Sequence, residues 1–336
     1  MKTFNLIATA TAVVAAMAIT ATLRAGYETP SGGHSAGPAV DAALPSYEPV
    51  KENLTGTLNA IGSDTMNNIV ANWGEAFGRL YPGVKVQVEG KGSSTAPPAL
   101  IAGSAQLGPM SREMKDTEVN SFEGKFGYKP LRLRTCLDAL AVFVNKDNPI
   151  SSLTMKQVDS IFSSTRKANG DDITAWGQLG LGGDWASAPL TLYGRNSASG
   201  TYVYFKEKAL LKGDFKDGVK EQPGSAGVVD GISQDKFGIG YSGIGYLTSG
   251  VKVLGLALKE GGTVYQPTLG NVKAEAYPLG RFLNVYINKA PNTALAPEIR
   301  EFFRFVYSKQ GQEIVAKEGF LPLSEKDAGA ERAKVQ

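Results

Sequence analysis

Three loops in this sequence share one composition: Gly62-Ser63-Asp64-Thr65, Gly92-Ser93-Ser94-Thr95 and Ser199-Gly200-Thr201. Each stands at the head of a run with helical spacing. A helix that starts there presents unpaired backbone N–H groups and the positive end of its dipole. Glycine lets the backbone approach a ligand closely, and serine and threonine donate hydrogen bonds without bulk. A tetrahedral anion is the ligand that such loops suit. Any one of them also fits an ordinary helix cap. Their recurrence, with arginines nearby, favours an anion site. Arg195 stands four residues before Ser199, and Ser111-Arg112 is expected to open a further helix. A guanidinium fork matches two oxygens of one tetrahedral anion and stays charged at every relevant pH.

The chain's composition removes most chemistry of other kinds. It has one His, His34, in a Gly/Pro/Ser-rich segment, and one Cys, Cys136, in an apolar strand-like run. Ser-His-Asp and Cys-His arrangements are therefore ruled out, as are metal sites built on His and Cys clusters and an intramolecular disulfide. Cys136 reads as a buried, inert thiol. No Walker-type loop occurs, and the reading is of a protein without a catalytic residue, cofactor or metal. A formal charge of +3, with the basic residues dispersed, argues against a nucleic-acid partner.

The loops need a scaffold, and alternating periodicities supply one. Gly56–Ile61 is expected as a strand, followed by helical spacing at Met66, Ile69, Val70, Trp73, Phe77 and Leu80. Val84, Val86 and Val88 alternate as in a half-buried strand. Pro97 and Pro98 suit the first turn of a helix ending near Ala102. Further strands are expected at 137–145, 190–193 and 283–288, with a Gly-rich strand and turn at 238–246. Helices are expected after Thr154, from about Ser199, and around Ile299–Val306. This alternation predicts an α/β fold. A length of 336 residues favours two domains. Residues 1–25 read as a signal peptide, 26–52 as a flexible leader and 326–336 as a tail.

The run Arg195-Asn196-Ser197-Ala198-Ser199-Gly200-Thr201 resembles the signature of periplasmic phosphate-binding proteins of ABC importers. Companion motifs follow in the same order: GSDTM at 62–66, GKGSST at 90–95, MSREM at 110–114, LDALAVFVN at 137–145, YPLGRFLNVYINK at 277–289 and GQEIVAKEGFLPL at 311–323. The resemblance spans about residues 54–325. It implies a two-lobed periplasmic-binding-protein fold of type II, with a hinge and a central ligand cleft. One lobe would comprise 53–145 and 246–325, and the other 146–245.

The resemblance also implies the ligand, inorganic phosphate, and the partner, the membrane permease of an ABC importer. The protein would act in the periplasm as a monomer. A secreted sensor or adhesin on the same fold is the alternative, and a phosphatase a more distant one. Thr65, Ser93, Ser94, Arg195, Ser199, Gly200 and Thr201 fall on the phosphate contacts that the resemblance implies. Ser63, Asp64, Thr95, Ser111 and Arg112, in the same loops, complete the expected set with Asp138. Some members of the family have Ser-Asp where this chain has Ser111-Arg112, and that Asp accepts the proton of hydrogen phosphate. A carboxylate must then come from elsewhere. Asp138, opening an apolar strand, is the expected acceptor, with Asp64 in reserve. Such a carboxylate accepts a proton from phosphate and repels sulfate, whose oxygens only accept.

Overall fold

Strand and helix runs alternate along the chain, and the computed structural model, which describes residues 38–336, folds them in that order. β1 (Gly56–Ile61) and β2 (Val84–Glu89) pair in parallel and are joined through α1 (Asn67–Leu80). That helix buries Ile69, Val70, Trp73 and Phe77, the face its periodicity predicts. α2 (Ala96–Ala102) has proline in its first turn, where a missing N–H costs no helical bond. β3 (Gly108–Met110) and α3 (Asp116–Phe126) follow. β4 (Leu131–Asn145) begins ahead of the expected strand start, because residues 131–139 already pair with a later strand. β5 (Ser152–Thr154) leads into α4 (Met155–Phe162), which Thr154 and Gln157 cap reciprocally.

The next unit alternates tightly: β6 (Thr191–Arg195), α5 (Gly200–Lys208), β7 (Lys220–Gln222), α6 (Ser225–Gln234) and β8 (Gly238–Gly243). β6 lies between β7 and β8 and runs parallel to both, so helical crossovers are required. Short strands β9 (Val251–Val253), β10 (Gly255–Ala257) and β11 (Val264–Tyr265), then α7 (Leu269–Lys273), lead to β12 (Gly280–Ile287). α8 (Pro297–Val306), α9 (Lys309–Lys317) and α10 (Glu325–Arg332) end the chain's regular structure.

The largest sheet has the order β3-β12-β4-β8-β6-β7, with β9 also on β4. β4 runs antiparallel to β12 at one end and to β8 at the other. Its side chains serve separate apolar clusters. Leu133 and Cys136 belong to one, with α1, α8 and Leu283 and Val285 of β12. Leu137, Ala139, Leu140, Val142 and Val144 belong to another, with α4, Phe205 and Tyr241. The register places Asp138 of β4 opposite Arg281 of β12, at the point where the packing changes. Cys136 lies next to it, and burial pushes its thiol up, which suits an inert side chain.

Three expectations are corrected. The leader drawn over 26–52 stops short of Leu44, because Leu44 and Tyr47 are buried in the first cluster. Tyr47 Oη lies 2.8 Å from Tyr81 Oη and donates to Glu301 at 3.1 Å. The tail over 326–336 is also packed: α10 covers most of it, with Ala328 and Val335 in the same cluster. Ser111-Arg112 opens no helix. The helix starts at Asp116, where the Glu118 carboxylate accepts from the Lys115 N–H at 2.8 Å. The expected signal peptide over 1–25 lies outside the described residues, as does the leader as far as residue 37.

Candidate functional site

Hydroxyls from distant parts of the chain meet beside the Asp138–Arg281 pair. Thr65 sits in a 3-10 turn ahead of α1, Ser93 in another ahead of α2, and Ser111 just past β3. Thr201 lies in the first turn of α5, and Ser225 opens α6. All five are buried. Thr65 Oγ1 is 2.9 Å from Thr201 Oγ1 and 3.4 Å from Ser225 Oγ. Ser111 Oγ is 3.3 Å from Ser93 Oγ and 3.5 Å from Thr201 Oγ1. Such a cluster is rich in donors that rotate to suit an oxyanion.

Arginines stand on both sides of it. Arg195, the last residue of β6, is 1% exposed. Its Nη1 donates to Ser225 Oγ at 2.7 Å and its Nη2 to the Pro223 carbonyl at 3.0 Å, with Asp64 Oδ2 3.2 Å from Nη2. Its Nε is buried without a partner. Burial pulls the guanidinium below the usual arginine value, Asp64 and two tyrosines oppose this, and Arg281 adds to it. Two guanidiniums that repel each other are stabilised by an anion close to both.

Arg281 enters from β12. Nε and Nη2 grip Asp138 Oδ2 at 2.9 and 2.7 Å, Nη1 donates to the Ser111 carbonyl at 2.8 Å, and Nη2 donates to Thr201 Oγ1 at 3.0 Å. Asp138 is fully buried, and its Oδ1 accepts from the Ile244 N–H at 3.1 Å. One acceptor position therefore remains on that oxygen. Asp64 Oδ2 accepts from the Ser225 N–H at 2.7 Å, which caps α6 from another part of the chain. Across the cluster the charges of Arg195 and Arg281 balance those of Asp64 and Asp138.

The remaining expected residues fall around this centre. Ser199 caps α5, accepting from the N–H groups of Thr201 at 3.1 Å and Tyr202 at 3.4 Å. Ser63 Oγ is buried without a partner. Thr95 turns back to the Gly92 carbonyl at 2.8 Å. Arg112 is held by Glu118 through two bonds of 2.7 Å, and its Nη2 donates to Ser94 Oγ at 3.2 Å. It pairs with Glu118 and supports the Ser93–Thr95 turn, while its Nε, like that of Arg195, is buried without a partner.

Residues that sequence reasoning missed are Arg281, Ser225 and Tyr246, whose Oη donates to the Asp64 and Thr65 carbonyls at 3.1 and 3.3 Å. Ser225 carried a signal: Pro223-Gly224-Ser225 is a further Gly-Ser loop leading into a helix. Arg281 carried a weaker one, a charge in an apolar strand that matches the charge of Asp138 in another.

Backbone proximity explains the glycines here. Gly92 has φ +108°, and a Cβ on it would lie 2.5 Å from the Ala198 carbonyl. A Cβ on Gly200 would lie 2.3 Å from Ser93 Oγ and 2.6 Å from Ser111 Oγ. Gly200→Ala is therefore expected to push those hydroxyls apart. The fold should lose roughly 1–3 kcal/mol, the usual cost of overpacking, and anion affinity should fall with the displaced hydroxyls. Calorimetric titration beside a thermal melt checks this, and unchanged affinity would show that the two hydroxyls tolerate displacement.

Known proteins share this chain's sequence pattern and fold. The PBP superfamily domain matches residues 48–310. The phosphate-binding protein PstS of Pseudomonas aeruginosa is 54% identical over 298 residues, covering 88% of this chain and 92% of that protein. Protein SphX of Synechococcus elongatus is 28% identical, covering 85% and 84%. Among solved structures, an ABC-type phosphate transport receptor from Vibrio cholerae superposes with a TM-score of 0.61 at 21% identity, covering 79% of this chain and all of that one. The last likeness shows the shared α/β periplasmic-binding-protein fold.

Proposed function

This chain belongs to the PBP superfamily, in its PstS branch, and we propose that it captures inorganic phosphate outside the cytoplasm and delivers it to an ABC-type importer. It is a binding protein and not an enzyme. The observation that carries the ligand assignment is the convergence of five buried hydroxyls between Arg195 and Arg281. Phosphate needs several donors and at least one acceptor for its proton. The hydroxyls and both arginines supply donors. Asp138 Oδ1 supplies the acceptor, with Asp64 the second candidate. The fully buried carboxylate discriminates best, because its repulsion of sulfate is least screened.

In this reading residues 53–145 with 246–325 form one lobe and 146–245 the other, and β4 and β12 carry the chain across the hinge. The separate apolar clusters along β4 support two lobes, and because Leu140, Val144, Leu254, Leu256 and Tyr277 pack with α4 and Phe205, they favour a boundary on β4 nearer Leu137 than residue 145. Phosphate then bridges Thr65, Ser93 and Ser111 on one lobe to Arg195, Thr201 and Ser225 on the other. The protein works as a monomer in the periplasm, exported by the segment over 1–25, and the importer's permease is its partner.

Titrating the purified protein with phosphate and sulfate tests the ligand. Saturable phosphate binding with sulfate at least tenfold weaker is expected. Solution scattering tests the hinge: the radius of gyration should shrink at saturating phosphate. An unchanged radius would mark the protein as a rigid binding module and remove support for delivery to an importer.

A further inference from the structure

Arg281 has chemistry on more than one side. Towards the hydroxyl cluster it donates to Thr201 Oγ1 and the Ser111 carbonyl, and Asp138 holds it in place. It also lines a cavity of about 700 Å3, together with Tyr204, Tyr277 and Phe282 and the lysines Lys208 and Lys273. That volume lies in the range of pockets for organic ligands and far exceeds the needs of a bare oxyanion. Its lining mixes aromatic rings and lysines with the carboxylates of Glu113, Glu207 and Glu275, so it offers room for an organic group while the phosphoryl group stays with the hydroxyls. The guanidinium is well braced: besides its four hydrogen bonds, it lies 5.3 Å from the Tyr204 ring centroid. Tyr204 is itself fixed by donating to the Gly280 carbonyl at 2.5 Å, and burial pushes its phenol up to about 12, so it remains a donor.

We propose that Arg281 sets the size limit of the ligand. It is the wall between the anion site and the adjoining cavity, and it confines binding to an unsubstituted tetrahedral oxyanion. A phosphomonoester placing its phosphoryl group among the hydroxyls would have to seat its organic group where the guanidinium stands. This inference rests on the phosphate reading and adds a second role for Arg281 beyond charge.

The test compares inorganic phosphate and phenyl phosphate by calorimetry on three proteins: the wild type, Arg281→Lys, and Arg281→Ala combined with Asp138→Asn. The paired change avoids leaving a buried carboxylate without its cation. Circular dichroism melts report folding. The wild type should bind phosphate and not phenyl phosphate. In the double variant phosphate should weaken at least tenfold while phenyl phosphate becomes measurable, moving the affinity ratio towards the ester by tenfold or more. Arg281→Lys, slimmer and without the fork, should move it in the same direction by less. A folded double variant that binds phosphate yet still refuses the ester overturns the proposal, and so does ester binding by the wild type. If the double variant does not fold, the lysine variant decides by the same ratio. Wild-type protein that binds no phosphate would instead overturn the underlying assignment of the ligand.

Discussion

Arg195→Ala is expected to weaken phosphate binding by roughly 2–5 kcal/mol, the range for removing one partner of a desolvated charged contact. At about 1.4 kcal/mol per decade, this is a loss of roughly thirty-fold to several thousand-fold. Three features place it among the largest effects. The guanidinium is 1% exposed, so its contact with an anion is barely screened. It orients Ser225 Oγ at 2.7 Å and stands 3.2 Å from Asp64, so alanine also releases a hydroxyl and leaves a carboxylate facing the ligand without its cation. Its Nε has no protein partner, so one of its donors is not needed by the fold. Burial and Arg281 disfavour the charged form of Arg195, and Asp64 and two tyrosines favour it, so a bound anion adds to the stabilisation that Asp64 supplies. Arg195→Lys retains the charge and loses the fork, and should recover only part of the binding. Wild-type affinity in the alanine variant would remove Arg195 from the site.

What could be read from the sequence is what local spacing encodes. The face of α1, the cap at Thr154 and the loops before α1, α2 and α5 are set within a few residues, and the structure has them where the periodicity puts them. The Arg195–Thr201 signature is likewise a short run. What escaped depends on strand register. Arg281 and Asp138 are 143 positions apart, and only the antiparallel pairing of β12 with β4 makes them neighbours. Arg112 shows the converse. Its local setting beside Ser111 points to the anion site, and only the structure reveals that Glu118, in the first turn of the next helix, pairs with both of its Nη groups. Leu44 and Tyr47 lie in a stretch without periodicity, so their burial against α8 and Tyr81 had no signature to read.

Asp138→Asn joins a stability effect to a selectivity effect. In the native protein Oδ2 takes two bonds from Arg281, and Oδ1 takes one from Ile244. Asparagine has one acceptor oxygen for donors on both sides, so its amide must point N–H groups at either Arg281 or Ile244. Arg281 is then buried without a counter-charge, and breaking such a pair typically costs about 3–5 kcal/mol. Denaturant unfolding without ligand should show a loss in that range. An anion restores the charge balance, so saturating phosphate should recover more stability in the variant than in the wild type. The same change removes the acceptor that rejects sulfate and adds one positive charge to the site. Sulfate should gain, and the ratio of phosphate to sulfate affinity at neutral pH should fall by tenfold or more, about 1.4 kcal/mol. If the ratio holds in Asp138→Asn and falls in Asp64→Asn, then Asp64 accepts the ligand proton and Asp138 serves only to anchor Arg281. If it falls in neither, both carboxylates act through their arginines, and selectivity rests on the hydroxyl cluster.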